Sequence, residues 1–497
     1  MMAMSRVSSA AVAAALAPDS KAPESLYRQL YDKLRHAILA GRFSAGQQMP
    51  STRILAADLE VSRNTVLNAF EQLIAEGYLE GAVGSGTYVA RALPEEMLRA
   101  TATHAGAGAA GKRRRWSRQG ARLAMYTISR IRQAVVPKPF QSGVPALDAF
   151  PFDLWARLLN RYWRKQPGEL LGYGDSGGYM PLRRAIASYL AVARAVRCKP
   201  EQVIVVSGAQ QALDLTARLL LEPGDAVWFE DPGYLGARAT MNAAGARLVP
   251  IAVDEDGLSV RRGIARKPRA RMVYVTPSHQ FPLGVTMSLG RRLELLSWAQ
   301  KAGAWILEDD YDSEYRYASR PLASMQGLDR GGRVIYFGTF SKVLFPALRL
   351  GYLVVPPDLV EGFLVAKAVT DRQSPTIEQA VLAEFIDEGH FGRHIRRMRA
   401  LYLERVGVLV GSVEKELKGF LEMSLPEAGM HTIGRLQKGS NDRELARRAA
   451  AAGVTTLPLS AFYLGSGGKP GLVLGYSGYD NKAIREGVRK LAQALLG

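Results

Sequence analysis

Apolar residues recur at helical spacing through Leu26, Leu30, Leu34, Ile38 and Leu39, and Gly41 ends the pattern. This predicts an amphipathic helix opening after Ser25. A turn over residues 46–50 leads to Ser51, placed to cap a second helix holding Ile54, Leu55 and Leu59. Ser62 then caps a third, which carries Val66, Ala69, Phe70, Leu73 and Ile74. After Gly77 the period changes, and residues 78–89 read as two short strands around a glycine-rich tip. Two short helices joined by a tight turn, the second opening with small polar residues and followed by a hairpin, have the form of a winged helix-turn-helix, a small α+β domain.

From Val203 onward short apolar runs alternate with helical segments. Residues 203–206, 226–229, 248–251, 272–275, 305–307, 334–337 and 350–355 are the strand candidates, with helices such as 209–221 and 290–302 between some of them. That alternation predicts an α/β domain with a mainly parallel sheet covered by helices. Between the two patterns, residues 90–125 lose periodicity, are rich in Ala, Gly and Thr, and carry the run Lys112, Arg113, Arg114 and Arg115. The expected organisation is a disordered leader over 1–22, a winged helix over 23–90, a flexible basic linker over 91–125 and the α/β domain over 126–497. Trp116 suggests that the linker docks again on the domain that follows.

Composition narrows this. A chain of 497 residues exceeds one ordinary core, which agrees with more than one domain. The formal charge of +19 divides into an excess of +7 over residues 1–130 and +12 over the rest, so an anionic partner is expected without charge alone choosing between DNA and phosphate ligands. Cys198 is the only cysteine, which excludes an intrachain disulfide and fits a reducing cytoplasmic setting. Six scattered histidines give no metal-ligand spacing. The run 10–17 is mostly alanine and imitates a signal sequence only weakly, and no other stretch approaches a membrane span.

The unusual chemistry falls just after the predicted strands, where open α/β sheets place their ligands. Gly338, Thr339, Phe340, Ser341 and Lys342 follow one apolar run, with Arg349 seven residues on. A lysine drawn from water beside hydrophobic strands is costly unless it is paired or converted, and Schiff-base formation with an aldehyde is such a conversion. Thr339, Ser341 and Arg349 add donors for a phosphate, and pyridoxal phosphate carries both groups. Ser207, Gly208 and Ala209 end another strand and open a helix, so backbone N–H groups face an anion. Tyr234 offers a plate to stack on a pyridine ring. The succession Glu308, Asp309, Asp310 is costly unless one carboxylate meets a cation, a condition that Asp309 facing a pyridinium nitrogen would meet. Gly172 to Gly177 fits G-x-G-x-x-G, yet no strand precedes it, which argues against a dinucleotide site.

Over Leu26–Val89 the chain resembles the winged-helix domain of the GntR superfamily of bacterial regulators, through the runs MPSTRILA and SRNTV followed by EGYL. The resemblance implies that Arg53, Ser62, Arg63, Asn64 and Thr65 touch double-stranded operator DNA, with Gly84 and Ser85 of the wing near the minor groove. From about Gln141 to Leu496 it resembles fold type I aminotransferases, with a small C-terminal subdomain, and the whole resembles the MocR subfamily of GntR regulators. That implies an internal aldimine on Lys342, Asp309 on the pyridine nitrogen, Tyr311 on the phenolic oxygen and Tyr234 on the ring face. It further implies Ser207, Gly208, Ala209, Thr339 and Arg349 on the phosphate, and Gln280 or His279 where the enzymes use an asparagine. Tyr173 matches a tyrosine that reaches the partner subunit's phosphate, so a homodimer is implied. The arginine with which the enzymes grip a substrate α-carboxylate is missing from residues 470–477. The expected function is thus a regulator of vitamin B6 or amino-compound metabolism genes, sensing the cofactor or a small amine. A working aminotransferase with an appended DNA-binding head is the alternative.

Overall fold

The computed structural model describes residues 16–19, 22–82, 86–93, 116–124, 137–165, 168–317, 322–465 and 468–496. It divides into two compact units, residues 1–115 and 116–497.

In the first unit the three predicted helices form as α1 (Leu26–Leu39), α2 (Thr52–Asp58) and α3 (Arg63–Ala75). Both predicted caps are made: Ser51 Oγ accepts from the Ile54 N–H, and Ser62 Oγ from the Thr65 N–H. The wing is an antiparallel pair, β1 (Leu79–Ala82) and β2 (Gly86–Val89), with Leu79 opposite Val89. Gln48 bridges Tyr88, which ties the turn before α2 to the hairpin. Leu30, Leu34, Ile38, Leu55, Val66, Phe70, Leu73 and Val89 close one core. Leu39, Ile54 and Ile74, expected in it, are exposed because the periodic stripe is wider than the face that α1–α3 bury. One part of the expected leader is ordered: Leu16 is buried in this core, and the Gln29 amide bonds both the Asp19 N–H and its carbonyl. Gly84, Ser85 and the Lys112–Arg115 run lie outside the described residues.

In the second unit every predicted strand forms, several of them longer than the apolar run that announced them. The eight-stranded sheet comprises β3 (Val203–Val206), β4 (Ala226–Asp231), β5 (Arg247–Asp254), β6 (Gly257–Leu258), β7 (Met272–Val275), β8 (Trp305–Asp310), β9 (Val334–Thr339) and β10 (Gly351–Val354), in the order β3-β10-β9-β8-β7-β4-β5-β6. β4, β5, β7, β8 and β9 are mutually parallel. β10 lies antiparallel between β9 and β3, so β3 runs with the parallel set. The carboxyl ends of β3, β4, β7, β8 and β9 therefore share one edge, and that edge is where the predicted chemistry falls. A smaller antiparallel sheet, β11 (Leu421–Glu422), β12 (His431–Leu436), β13 (Leu457–Pro458) and β14 (Gly471–Gly475), forms the C-terminal subdomain. This unit begins before the expected boundary at residue 126, since the helix Arg118–Ala124 packs against the helix Leu235–Ala243. Trp116, expected to make that docking, is 74% exposed.

Candidate functional site

The three successive carboxylates of β8 have different fates, because strand side chains alternate between faces. Glu308 is buried and accepts the Met325 and Gln326 N–H groups. Asp310 is buried and paired with Arg194 Nε at 2.8 Å. The cation that this run requires is therefore supplied inside the fold, and it belongs to Asp310. Asp309 points the other way: Tyr274 donates to its Oδ2 at 2.7 Å, while its Oδ1 is buried with no partner. Burial pushes its carboxyl up to about 8. An acceptor left open in a buried place costs roughly 1–3 kcal/mol, and a ring N–H would satisfy it.

Lys342 lies in the turn after β9, half-buried, and its Nζ donates to the Gly143 carbonyl at 2.9 Å. Burial holds its amine below the usual lysine range, and the Arg349 guanidinium adds to that effect. Gly143 has φ 75°, in the left-handed region that favours glycine, and a Cβ there would stand 2.5 Å from the lysine nitrogen, so a side chain would push the end of Lys342 aside. Arg349 adopts φ 51°, in the left-handed region, and its guanidinium reaches the loop before the helix Ala209–Leu220, 3.5 Å from where a Cβ on Gly208 would stand. Gly208 itself has φ 111°. Ser341 Oγ is buried without a partner, and Thr339 Oγ1 accepts from the Ser341 N–H. A cation, a helix N-terminus and an unsatisfied hydroxyl thus gather at one edge, which suits a phosphate. The Ser207 N–H is already taken by Gln211 Oε1, so from this residue only the hydroxyl, 3.5 Å from Asp371 Oδ2, is within reach of a ligand.

Tyr234 is half-buried after β4, with its hydroxyl pushed up to about 12 by burial and by Asp309. Tyr311 OH lies 3.0 Å from His279 Nδ1, which also meets Asp312 at 2.9 Å. Gln280, one of the two residues expected in the asparagine position, is spent elsewhere. Its amide nitrogen donates to the carbonyls of Pro232 and Phe281 and to Glu230, and its oxygen accepts from the Leu283 N–H. Phe281 is the residue whose ring touches both Tyr234 and Tyr311, at 5.8 and 6.1 Å between centroids, a role that sequence reasoning passed over. His279, Asp312 and His431 gather with every ring and carboxylate buried, and His279 Nε2 has no partner. Only the spacing of His279 from Asp312 could have signalled this cluster, and spacing alone carries no weight.

Where an arginine would open β14 stand Gly471 and Leu472, and Val473 packs with Leu459 and Phe462 in a cluster that Phe281 joins. That cluster is apolar, and Phe281 joins it to Tyr234 and Tyr311. Tyr173, expected to serve a second subunit, is 82% exposed, with the Arg372 guanidinium 4.2 Å over its ring.

In the first unit Arg53, Ser62, Arg63 and Asn64 are exposed, and Thr65 is half-buried. Ser62 and Thr65 hydroxyls bond each other at 2.9 Å, and Arg63 Nε lies 3.5 Å from Thr52 Oγ1. The hydroxyls are thus partly engaged in capping, while Arg53 and Asn64 have no side-chain bond among the described residues.

These features define a winged helix-turn-helix of the type that reads DNA, joined to a fold type I aminotransferase domain. The family models agree: residues 139–491 match the aminotransferase class I and II family, and residues 26–89 match the gntR family of bacterial regulatory proteins. The chain belongs to both, and so to the MocR-type transcription regulators, which join these two domains. It is 46% identical over 479 residues to the “Probable rhizopine catabolism regulatory protein MocR” of Rhizobium meliloti, covering 96% of this chain and 95% of that protein. It is 33% identical over 477 residues to the HTH-type transcriptional regulator TauR of Rhodobacter capsulatus, covering 95% and 96%. Among solved structures it is similar to LysN, the α-aminoadipate aminotransferase of Thermus thermophilus complexed with N-(5'-phosphopyridoxyl)-L-leucine. There the TM-score is 0.71 and the identity 31%, over 77% of this chain and 97% of that one.

Proposed function

We propose that this protein is a cytoplasmic transcription regulator whose second unit holds pyridoxal phosphate on Lys342 and senses a small amine, or the cofactor itself, through that site. One observation carries the reading: Asp309 presents a buried, unpartnered oxygen at the same sheet edge as an amine with a depressed pKa. When bound, pyridoxal phosphate supplies an aldehyde that captures primary amines and a ring that draws electrons once its nitrogen is protonated.

The chain's own residues divide the remaining work. Lys342, held below the usual lysine range, keeps more of its amine neutral and nucleophilic at physiological pH. Asp309 holds a proton at the ring-nitrogen position, and Tyr274 fixes its other oxygen. Arg349, Ser341, Thr339 and the N–H groups at Gly208 and Ala209 hold the phosphate, with the Ser207 hydroxyl beside them. Tyr234 and Phe281 confine the ring, and His279 with Asp312 orients the Tyr311 hydroxyl. The apolar cluster of Val473, Phe462 and Phe281, standing where an arginine would open β14, supplies no partner for an α-carboxylate, which favours an amine without one.

Two copies are proposed to form a homodimer, supported by the exposure of Tyr173, so that two heads read paired half-sites. Arg63 and Asn64 suit base edges, Arg53, Ser62 and Thr65 suit phosphates, and Gly84 with Ser85 would approach the minor groove. A ligand alters regulation only through different affinity for two states of the protein. No helix among the described residues is long and apolar enough to cross a membrane.

The test is binding of the full-length protein to a duplex carrying its own promoter region, with and without pyridoxal phosphate and a panel of primary amines. The reading expects operator affinity to shift at least several-fold with cofactor, or with one amine, and not to shift for Lys342→Ala. Turnover of amino acids at enzyme rates, with operator affinity indifferent to every ligand, would favour a working aminotransferase instead.

A further inference from the structure

Between Asp256 and Glu294 the chain has no acidic residue, and within residues 260–271 it carries Arg261, Arg262, Arg266, Lys267, Arg269 and Arg271. The fold places the end of this run where β4, β5 and β7 begin, at the sheet edge opposite Lys342. Arg247, Lys267, Arg269 and Arg271 line one open hollow there, of about 320 Å³, with Asp225 as its only acid. Arg122 reaches the same rim, its guanidinium 2.5 Å from where a Cβ on Gly245 would stand, and the Gly245 carbonyl accepts the Gly224 N–H. Among the described residues none of the four lining cations forms an ion pair. The nearby acids Asp254, Asp256 and Glu294 are tied to Arg291.

A structural role accounts for part of this charge. Three helices end here, at Leu220, Arg266 and Ala302, and Arg271 Nε caps the Leu220 carbonyl at 3.2 Å. Three helix C-termini bring about −1.5 charges, and Asp225 one more. Set against four cations, and five with Arg122, the rim keeps an excess of roughly +1.5 to +2.5. Exposed like charges held together lower stability slightly unless an anion meets them.

We propose that this basic rim is a second DNA contact, which binds backbone phosphates of the duplex that the winged helix reads. The hollow lacks the apolar lining of a small-molecule pocket, and phosphate contacts need charge without fixed geometry. A duplex gripped by the head is tethered to the same chain as the rim, which raises its effective concentration there over that of free DNA. This rests on the head binding DNA.

The experiment measures the salt dependence of binding to a duplex carrying the protein's promoter region, using the full-length, cofactor-loaded chain. Arg247→Gln/Lys267→Gln/Arg269→Gln leaves the capping Arg271 intact. Arg485→Gln/Arg489→Gln/Lys490→Gln removes the same charge from exposed positions elsewhere. The rim variant is expected to lower the slope of log affinity against log salt by about 2 to 3, since each phosphate contact contributes about 0.9. At moderate salt it should bind at least tenfold more weakly, with its visible absorbance unchanged and its melting temperature unchanged or slightly raised. The control variant is expected to change the slope by less than about 0.5. Equal slopes in the two variants would overturn the proposal, as would an unchanged slope with lost binding to anionic phospholipid vesicles. Should the triple variant fold poorly, Arg269→Gln alone should lower the slope by about 1, and no change there would overturn it equally. Failure of the head is separable, because Arg63→Ala would then leave operator affinity unchanged whatever the rim does.

Discussion

The proposed DNA-reading face and the proposed cofactor cleft around Lys342 are built on opposite plans. Arg53, Arg63 and Asn64 stand in solvent, where an unpaired charge or amide costs almost nothing to keep. Asp309, Ser341 and His279 each keep a polar atom buried and without a protein partner, an arrangement that costs stability until a ligand group meets it. A buried site therefore declares its ligand through its own unmet needs. An exposed site declares its ligand only through the pattern that surrounds it.

The sharpest way to break this contrast is Lys342→Ala. It should abolish the visible band expected near ~420 nm for the lysine-bound cofactor and lower cofactor retention on dialysis by more than about a hundredfold, because a covalent hold is lost. Operator affinity without ligand should stay within about twofold. A variant that kept the band would move the covalent site elsewhere.

Next in size is Arg63→Ala. Losing a base-reading arginine should weaken operator binding by about 1 to 3 kcal/mol and relax discrimination at one base position, with cofactor uptake intact. Unchanged affinity in a competition gel shift would leave Arg63 as a solvated helix-opening residue bonded to Thr52.

Asp309 tests the buried side through pH. Its folded-state value near 8 lies above the roughly 3.9 of an unfolded aspartate. The folded protein thus keeps a proton that the unfolded chain has lost, and stability falls as pH rises through that window. Glu230 and Glu308, both held near 7 by burial, act with the same sign but finish earlier. His431 and His394, lowered by burial to about 3 and about 4, act with the opposite sign below the usual histidine range. Lys342, lowered by burial, also acts with the opposite sign and offsets part of the Asp309 effect, so between pH 7 and 8 the melting temperature of the cofactor-free protein should fall more steeply, or rise less, than that of Asp309→Asn. Parallel melting profiles would mean that Asp309 is not protonated in the cofactor-free protein.

The smallest effect belongs to Ser62→Ala. It removes the α3 cap and should cost about 1 kcal/mol of head stability, measured by hydrogen exchange in α3, with no change in cofactor spectra. Operator affinity should fall somewhat more than that, because the proposed phosphate contact is lost as well, and an affinity loss no larger than the stability loss would leave Ser62 as a cap alone.

The strands of the large sheet and the helices of the head were legible because their apolar periods are long and agree with their caps and turns. The residues around Lys342 were legible because each follows an apolar run, and a parallel sheet brings such positions to one edge. What escaped depends on distant partners. Gln280 looks free until Glu230 and Pro232 claim its amide, and Phe281 looks like core until it meets Tyr234 and Tyr311. The helix Arg118–Ala124 was read as linker because Arg, Gln, Gly and Ala give almost no apolar stripe, and it is the contact with Leu235–Ala243 that orders it. Asp310, not Asp309, meets the internal cation, and only the alternation of β8 against Arg194 decides which.

The central claim is tested most directly by reducing the cofactor-loaded protein with borohydride and mapping its peptides. The account predicts a stable phosphopyridoxyl mass on the peptide containing Lys342 and on no other. That peptide recovered unmodified from protein that had absorbed in the visible would contradict it.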